Sequence, residues 1–188
     1  MFAPSNLRTV KKQIEYRNIF DPLNFSTMWR YLTVCSLLLA SCQTTRYYIV
    51  RHGEKAAPGA SMSSDVPLSE AGEQRARDLR GRLLGNHIQY VYSTNYQRTK
   101  ATARPTAEAI GAGIETYDPK DTSFVARVLA RGKGNALIVG HSNTVDDLVN
   151  RFMGQQLLQD LPDTAYNNLF IITRKGKKLS FARERYGK

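Results

Sequence analysis

The chain has 188 residues, 41% of them hydrophobic and 23% charged, with a net charge of +11. That length and balance fit one globular domain with its own core, not a repeat array, a low-complexity chain or a fold that needs disulfides or metals as staples. The basic excess raises the question of nucleic acid. However, the lysines and arginines are scattered, and the densest group, Arg174-Lys175-Gly176-Lys177-Lys178, reads as a hairpin turn. With no zinc-finger spacing and no RNA-binding aromatic motif, no nucleic-acid partner is expected, and the charge fits anionic substrates or an anionic membrane surface.

In chain order, the first recognisable feature is an address. Met28 and Arg30 precede a short apolar run from Tyr31 to Ala40, followed by Ser41-Cys42. The run is about half of the ~20 residues that span a bilayer, so it reads as a signal peptide rather than a membrane helix. Leu39-Ala40-Ser41-Cys42 resembles a bacterial lipobox, which implies cleavage before Cys42 and lipidation of that cysteine. Gln43 rather than Asp follows, which resembles outer-membrane sorting, so a lipid-anchored protein of the bacterial envelope facing the periplasm is expected. Residues 1–41 are thus the signal region. Within it, 28–41 is the lipoprotein signal, and 1–27 is either an upstream extension or a long basic n-region. From Cys42 onward, 22 Lys and Arg stand against 14 Asp and Glu, so the remaining chain is still basic at +8. Cys35 and Cys42 are the two cysteines; only Cys42 remains after cleavage, and neither has metal-ligand spacing.

Residues 42–46 are read as a short linker and 47–188 as the domain. Tyr47-Tyr48-Ile49-Val50 is a buried strand that delivers Arg51-His52-Gly53. Ser69 caps a helix with Ala76, Leu79, Leu83 and Leu84 at helical spacing, closed by Gly85. Gln89 to Ser93 is the next strand, and a helix from Tyr96 to Ile110 follows, with a kink expected near Pro105. Ile114 to Asp118 is a strand stopped by Pro119, and Thr122 to Ala130 is a helix. Ala136 to Gly140 is the most hydrophobic strand and delivers His141; Asn143 to Met153 is the next helix. Leu169–Thr173 and Leu179–Arg183 form a closing hairpin across the basic turn. Alternating strands and helices predict a three-layer α/β/α sandwich on a mostly parallel sheet.

Ligands of such sheets sit beyond the carboxyl ends of the strands. Arg51-His52, Arg98 and His141 all follow strands, so three distant segments bring guanidinium and imidazole groups to one edge. That set suits phosphoryl transfer. A neutral imidazole is a good nucleophile, and an arginine offers a planar fork to phosphate oxygens. His87 precedes a strand and fits no such pattern.

Arg51-His52-Gly53-Glu54 resembles the signature of the histidine phosphatase superfamily, which includes the cofactor-dependent phosphoglycerate mutases. Leu68-Ser69-Glu70-Ala71-Gly72, the segment Tyr92 to Thr99 with Arg98, Thr102-Ala103, and Gly140-His141-Ser142-Asn143-Thr144 resemble further motifs of that family, in the family's order. The resemblance covers about residues 47–145. It implies that His52 accepts the phosphoryl group while Arg51, Arg98 and His141 bind it; with no aspartate cluster and no His/Cys ligand spacing, no metal or cofactor is expected. Larger relatives use a carboxylate after the third strand. Asp118, at that strand's carboxyl end, is the first candidate for the acid here; Asp121 and Glu54 are the others, or the site has none, as in the smallest members. Arg51 to Arg98 is 47 residues and Arg98 to His141 is 43, all consumed by core elements, so no cap insertion is expected and the site should be open. The expected function is a phosphomonoester hydrolase acting on a phosphorylated small molecule or phosphoprotein, with a membrane partner through the lipid anchor. The rivals are a phosphomutase and a phosphate-binding lipoprotein without catalysis.

Overall fold

A computed structural model describes residues 44–57 and 65–187. The expected signal region 1–41 and Cys42 lie outside the described residues. Six strands form one sheet in the order β3-β2-β4-β1-β5-β6. They are β1 (Thr44–Arg51), β2 (Ile88–Thr94), β3 (Ile114–Tyr117), β4 (Asn135–Gly140), β5 (Asn168–Lys175) and β6 (Lys178–Arg185). The first four run parallel, while β5 is antiparallel to β1 and β6 to β5. Four helices cover the sheet: α1 (Glu70–Leu83), α2 (Gln97–Ile110), α3 (Phe124–Ala130) and α4 (Ser142–Met153). Among the described residues, no helix is long and apolar enough to cross a membrane.

The period of two along the central strands builds two separate cores. Tyr47 and Ile49 of β1, Ile138 of β4 and Phe170 of β5 face one side, where they meet Phe124 and Val128 of α3 and Leu148 and Phe152 of α4. Tyr48, Val50, Leu137, Val139 and Leu169 face the other, against Leu79 and Leu83 of α1 and Ala103 and Ala107 of α2. The result is the expected three-layer sandwich. The central strands are buried on both faces, which is why they read as continuous apolar runs.

Local signals set the helix ends. The Ser69 hydroxyl accepts the Gly72 N–H at 3.2 Å, Glu70 and Glu73 sit in the first turn of α1, and Arg80 and Arg82 sit in its last, all in the sense the helix dipole favours. Pro105 stands inside α2, which continues to Ile110. β1 begins earlier than its apolar run, because Thr44, Thr45 and Arg46 pair with Lys175, Arg174 and Thr173 of β5. The expected linker 42–46 is therefore shorter by these three residues. No cap element stands over the site among the described residues.

Candidate active site

β2, β4 and β1 are neighbours in the sheet, so their carboxyl ends lie side by side. There the structure brings together Arg51 at the end of β1, His52 just after it, Arg98 in the first turn of α2, and His141 after β4. They line an open cavity of about 490 Å³ with Lys55, Tyr96, Lys120, Asp147, Arg151 and Asp163. Ser142, Asn143 and Thr144, the first turn of α4, line it too, so a helix N-terminus contributes partial positive charge. Among the described residues, no cluster of His, Cys, Asp and Glu could hold a metal ion.

His52 is buried, 3% exposed, and its Nδ1 lies 2.6 Å from the Gly53 carbonyl. A carbonyl only accepts, so Nδ1 carries the proton and the lone pair is on Nε2. Burial drives the His52 pKa down to about 3, and the neighbouring His141, Arg51 and Arg98 push the same way against the Gly53 hydrogen bond. The ring is therefore neutral at pH 7.

His141 lies beside it, with ring centroids 5.4 Å apart, edge to face. Its Nε2 is 2.9 Å from the Thr94 hydroxyl, and its Nδ1 is 3.3 Å from Arg98 Nη2. A guanidinium only donates, so Nδ1 is the acceptor and Nε2–H donates to Thr94. Thr94 in turn donates to Thr99, whose hydroxyl closes on the Thr94 carbonyl. This relay of hydroxyls fixes the imidazole's tautomer and plane. Burial, followed by Arg98 and Arg51, lowers the His141 pKa to about 4.

Each arginine lies over an aromatic ring: Arg51 is 4.1 Å from the centroid of Tyr166, and Arg98 is 4.7 Å from that of Tyr96. The ring faces hold the planar guanidinium groups in place. Arg51 is 3% exposed and ties a distant loop to β1. Its Nη1 donates to the Pro162 and Asp163 carbonyls at 3.2 and 2.9 Å, and its Nη2 to Asp163 Oδ1 and Tyr166 Oη at 3.4 Å. Its Nε is buried with no partner among the described residues, a donor that an anion would satisfy.

Two glycines of the motifs are explained by contact. A Cβ on Gly53 would sit 2.7 Å from the Gly72 carbonyl oxygen, and one on Gly72 would sit 2.8 Å from Glu54 N. The loop after β1 and the first turn of α1 therefore touch backbone to backbone. The Gly53 N–H donates to Thr102 Oγ1 at 2.9 Å, and that hydroxyl donates to the Arg98 carbonyl at 2.8 Å, which ties the loop to α2.

The three expected acid candidates are not brought to the site. Asp118 is exposed, and its Oδ1 accepts the Lys120 N–H at 2.8 Å, closing the turn at Pro119. Asp118 lines a small crevice with Asp121 and Leu148 that adjoins the cavity, sharing Pro119, Thr144 and Arg151 with it. Asp121 binds Ser123 and Arg127, and those hydrogen bonds hold its pKa at about 2, so it has no proton to give. Burial acts to raise the Glu54 pKa, but the Arg75 fork at 2.6–2.9 Å outweighs it and holds the carboxyl below the usual range, turned away from the cavity. The carboxylates on the wall are instead Asp147 and Asp163. Asp163 binds Arg51 and the Ser142 hydroxyl, at 3.4 and 3.3 Å. Sequence reasoning missed Asp147, Asp163, Tyr96 and Tyr166. His87 is exposed on the loop before β2, away from the cavity.

Residues 47–119 match the model of the histidine phosphatase superfamily (branch 1). A protein of Salmonella paratyphi A named "Probable phosphoglycerate mutase GpmB" is 32% identical over 127 residues, 63% of this chain and 59% of that one. The chain thus spans less than two thirds of the curated relatives it matches. Among solved structures, the protein histidine phosphatase SixA with tungstate aligns at a TM-score of 0.59 and 20% identity, over 74% of this chain and 96% of that one. The phosphoserine phosphatase of Entamoeba histolytica with 3-phosphoglyceric acid aligns at 0.56 and 13%, over 77% and 98%. The domain shares the fold of these solved phosphatases, and its match to the superfamily's model is confined to residues 47–119. At these identities the solved structures speak for the fold alone. Within the histidine phosphatase frame, His141 falls beyond the matched segment; the pairing of β4 with β1 and β2 is what brings it to His52.

Proposed function

We propose that the domain is a phosphomonoester hydrolase that works through a phosphohistidine on His52. The observation that carries this is His52 itself, a neutral ring with Nδ1 committed to Gly53 and Nε2 left to attack, among two arginines and a second imidazole. In the first step Nε2 attacks phosphorus. A P–N bond forms, the P–O bond to the leaving group breaks, and the leaving oxygen takes up a proton. In the second step water attacks phosphorus, the P–N bond breaks, orthophosphate leaves and the imidazole returns to its neutral form. Arg98, Arg51 through Nε and the first turn of α4 stabilise the charge on the phosphoryl oxygens, and His141 positions Arg98 by accepting its Nη2–H. Asp147 is the wall carboxyl group not engaged by Arg51; in its protonated form it gives the leaving oxygen a proton, for substrates that need one, and the carboxylate so formed takes a proton from the attacking water in the second step.

The substrate is a phosphorylated small molecule or a phosphoprotein group able to enter an open site. The name of the curated relatives favours a second reading, a mutase. A mutase must keep water from the phosphoenzyme and return the phosphoryl group to a second hydroxyl, which the open cavity does not favour. We further propose that the protein is lipidated at Cys42 in the bacterial envelope. Intact mass spectrometry of membrane-extracted protein tests this, and an unmodified chain in the cytoplasmic fraction would overturn it.

The test of the reaction is acid-quench labelling with an aryl phosphate. The parent protein should trap an acid-labile phosphoenzyme and release orthophosphate. His52→Ala should trap none and lose turnover on the order of a thousandfold or more while staying folded. Phosphate binding without turnover in the parent would leave a non-catalytic phosphate-binding protein. Phosphoryl return to an added alcohol in preference to water would indicate the mutase.

A further inference from the structure

The sheet has a second end, which the reaction at His52 does not use. At the amino ends of the parallel strands, Thr44 of β1 pairs with Lys175 at the close of β5, and Ile88 of β2 pairs with Asn135 of β4. Side chains tie the loops of this end together. Arg174 Nη1 donates to the Leu129 carbonyl at 2.6 Å, Thr45 Oγ1 to the Gly132 carbonyl at 3.3 Å, and Asn135 Nδ2 to the Asn86 carbonyl at 2.6 Å. The turn between β5 and β6 and the turn before β4 therefore form one surface. It presents Lys133, Lys175, Lys177 and Lys178, all exposed.

At the other end Asp65, Asp147 and Asp163 stand among the cations of the site, Arg51, Lys55, Arg98, Lys120 and Arg151. Near the basic end, Glu115 is bound to Arg131, and Glu108 stands in the last turn of α2. The basic end also carries two of the four large hydrophobic side chains exposed among the described residues. Leu84, 61% exposed, ends α1 just before β2, and Ile110, 38% exposed, ends α2 just before β3. Both line one shallow crevice with Arg80 and His87.

We propose that this end of the domain docks on the surface of an anionic phospholipid bilayer. The lysines meet the headgroup charge, and Leu84 and Ile110 enter the apolar boundary beneath it. A duplex nucleic acid would satisfy the lysines but has no use for two exposed aliphatic side chains at the same end of the sheet. The reaction at His52 does not enter this argument. Cys42 stands two residues before Thr44, within covalent reach of the same end, so a lipid on that cysteine and the basic face would engage the same leaflet. The eight residues of β1 carry the chain from this face to Arg51, roughly 23 Å at the usual rise, so the cavity lies at the end of the sheet away from the bilayer. The substrates it meets are then soluble ones rather than headgroups of the membrane it sits on.

Lysine footprinting on the full chain tests the face. The protein is bound to vesicles of phosphatidylcholine, alone or with about one third phosphatidylglycerol, and acetylated with a water-soluble reagent; each lysine is then read by mass spectrometry. Acetylation of Lys133, Lys175, Lys177 and Lys178 should slow at least about fivefold on the anionic vesicles relative to the neutral ones. Lys55 and Lys120, beside the cavity, should change less than about twofold, because they lie beyond the reach of the surface potential. Equal protection of all six lysines, protection at Lys55 and Lys120 instead, or no difference between the vesicles would overturn the proposal. So would protection of the four by a random-sequence DNA duplex with none on vesicles, which would make the face a nucleic-acid surface.

Discussion

The two walls of the cavity are held by different means. The inner wall is His52, His141 and Arg98. His52 is buried and His141 and Arg98 are half-buried, and short bonds among Gly53, Thr94, Thr99 and Thr102 fix them within the three central strands and α2. The outer wall is the loop before β5. It reaches the site through Arg51, which grips two carbonyls, the Asp163 carboxylate and Tyr166. Asp163 is 93% exposed on its side chain. Catalysis gains from groups that need not reorganise, so the chemistry belongs to the inner wall, while the outer wall can adapt to the substrate's remainder.

The largest effect expected outside His52 itself comes from the backbone contact beneath the inner wall. Gly72→Ala puts a methyl against the Glu54 backbone, which has no side-chain end to swing aside. A cost of about 3 kcal/mol in unfolding free energy is expected, the upper part of the range for overpacking. Chemical denaturation measures it. A midpoint unchanged from the parent would mean that the loop after β1 is not pinned by α1.

Next come two substitutions that compare the walls directly. Arg98→Lys keeps a charge but loses the fork and its hold on His141, and it should lower kcat/KM at least about tenfold with kcat carrying most of the loss. Tyr166→Ala removes the ring beneath Arg51, a contact worth roughly 1 kcal/mol, and should raise KM about fivefold with kcat nearly intact. If Tyr166→Ala cost more kcat than Arg98→Lys, the division between a reacting wall and an adapting one would be wrong.

The inner wall also has a pH signature. In the folded protein the pKa values of His52 and His141 are lowered to about 3 and 4, against ~6.5 for the unfolded chain. On acidification the unfolded chain takes up these protons first. Stability is therefore full above pH 6.5 and falls as the pH drops toward 4. Ring NMR signals of both histidines should stay in the neutral position from pH 8 to about pH 5. A midpoint near pH 6.5 for either ring would show that burial does not govern it.

These contrasts also explain what could be read from the sequence. His52, Arg51, Arg98 and His141 were legible because each follows a strand that is apolar on both faces, and the register of β2, β4 and β1 does the rest. Tyr166 and Asp163 were not. They lie in a segment without periodicity, and they meet Arg51 across more than a hundred residues of chain. The start of β1 was clipped for a related reason. Thr44 to Arg46 is polar, and only pairing with β5 makes it strand.

Asp118 is the instructive case, and it carries the smallest expected effect. Its position at the end of β3 was read correctly, but strand ends locate a backbone, not a carboxylate. The residue that follows is Pro119, and Asp-Pro is a turn-forming pair whose acid side chain bonds the backbone two residues on. Asp118 does this with the Lys120 N–H, outside the cavity. Asp118→Asn keeps an oxygen acceptor for that turn, so turnover of both aryl and alkyl phosphates should stay within about twofold of the parent. Asp147→Asn should behave differently. An aryl phosphate leaves without help and should be nearly unaffected, whereas an alkyl phosphate needs a proton in the transition state and should slow by roughly a hundredfold. The ratio of the two rates in each variant is the measurement. A selective loss of alkyl phosphate turnover in Asp118→Asn, with none in Asp147→Asn, would mean that the turn at Pro119 opens in the working enzyme and swings the Asp118 carboxylate over the leaving group. Equal, small effects in both variants would mean that the leaving oxygen takes its proton from water, and that the inner wall supplies nearly all of the catalysis.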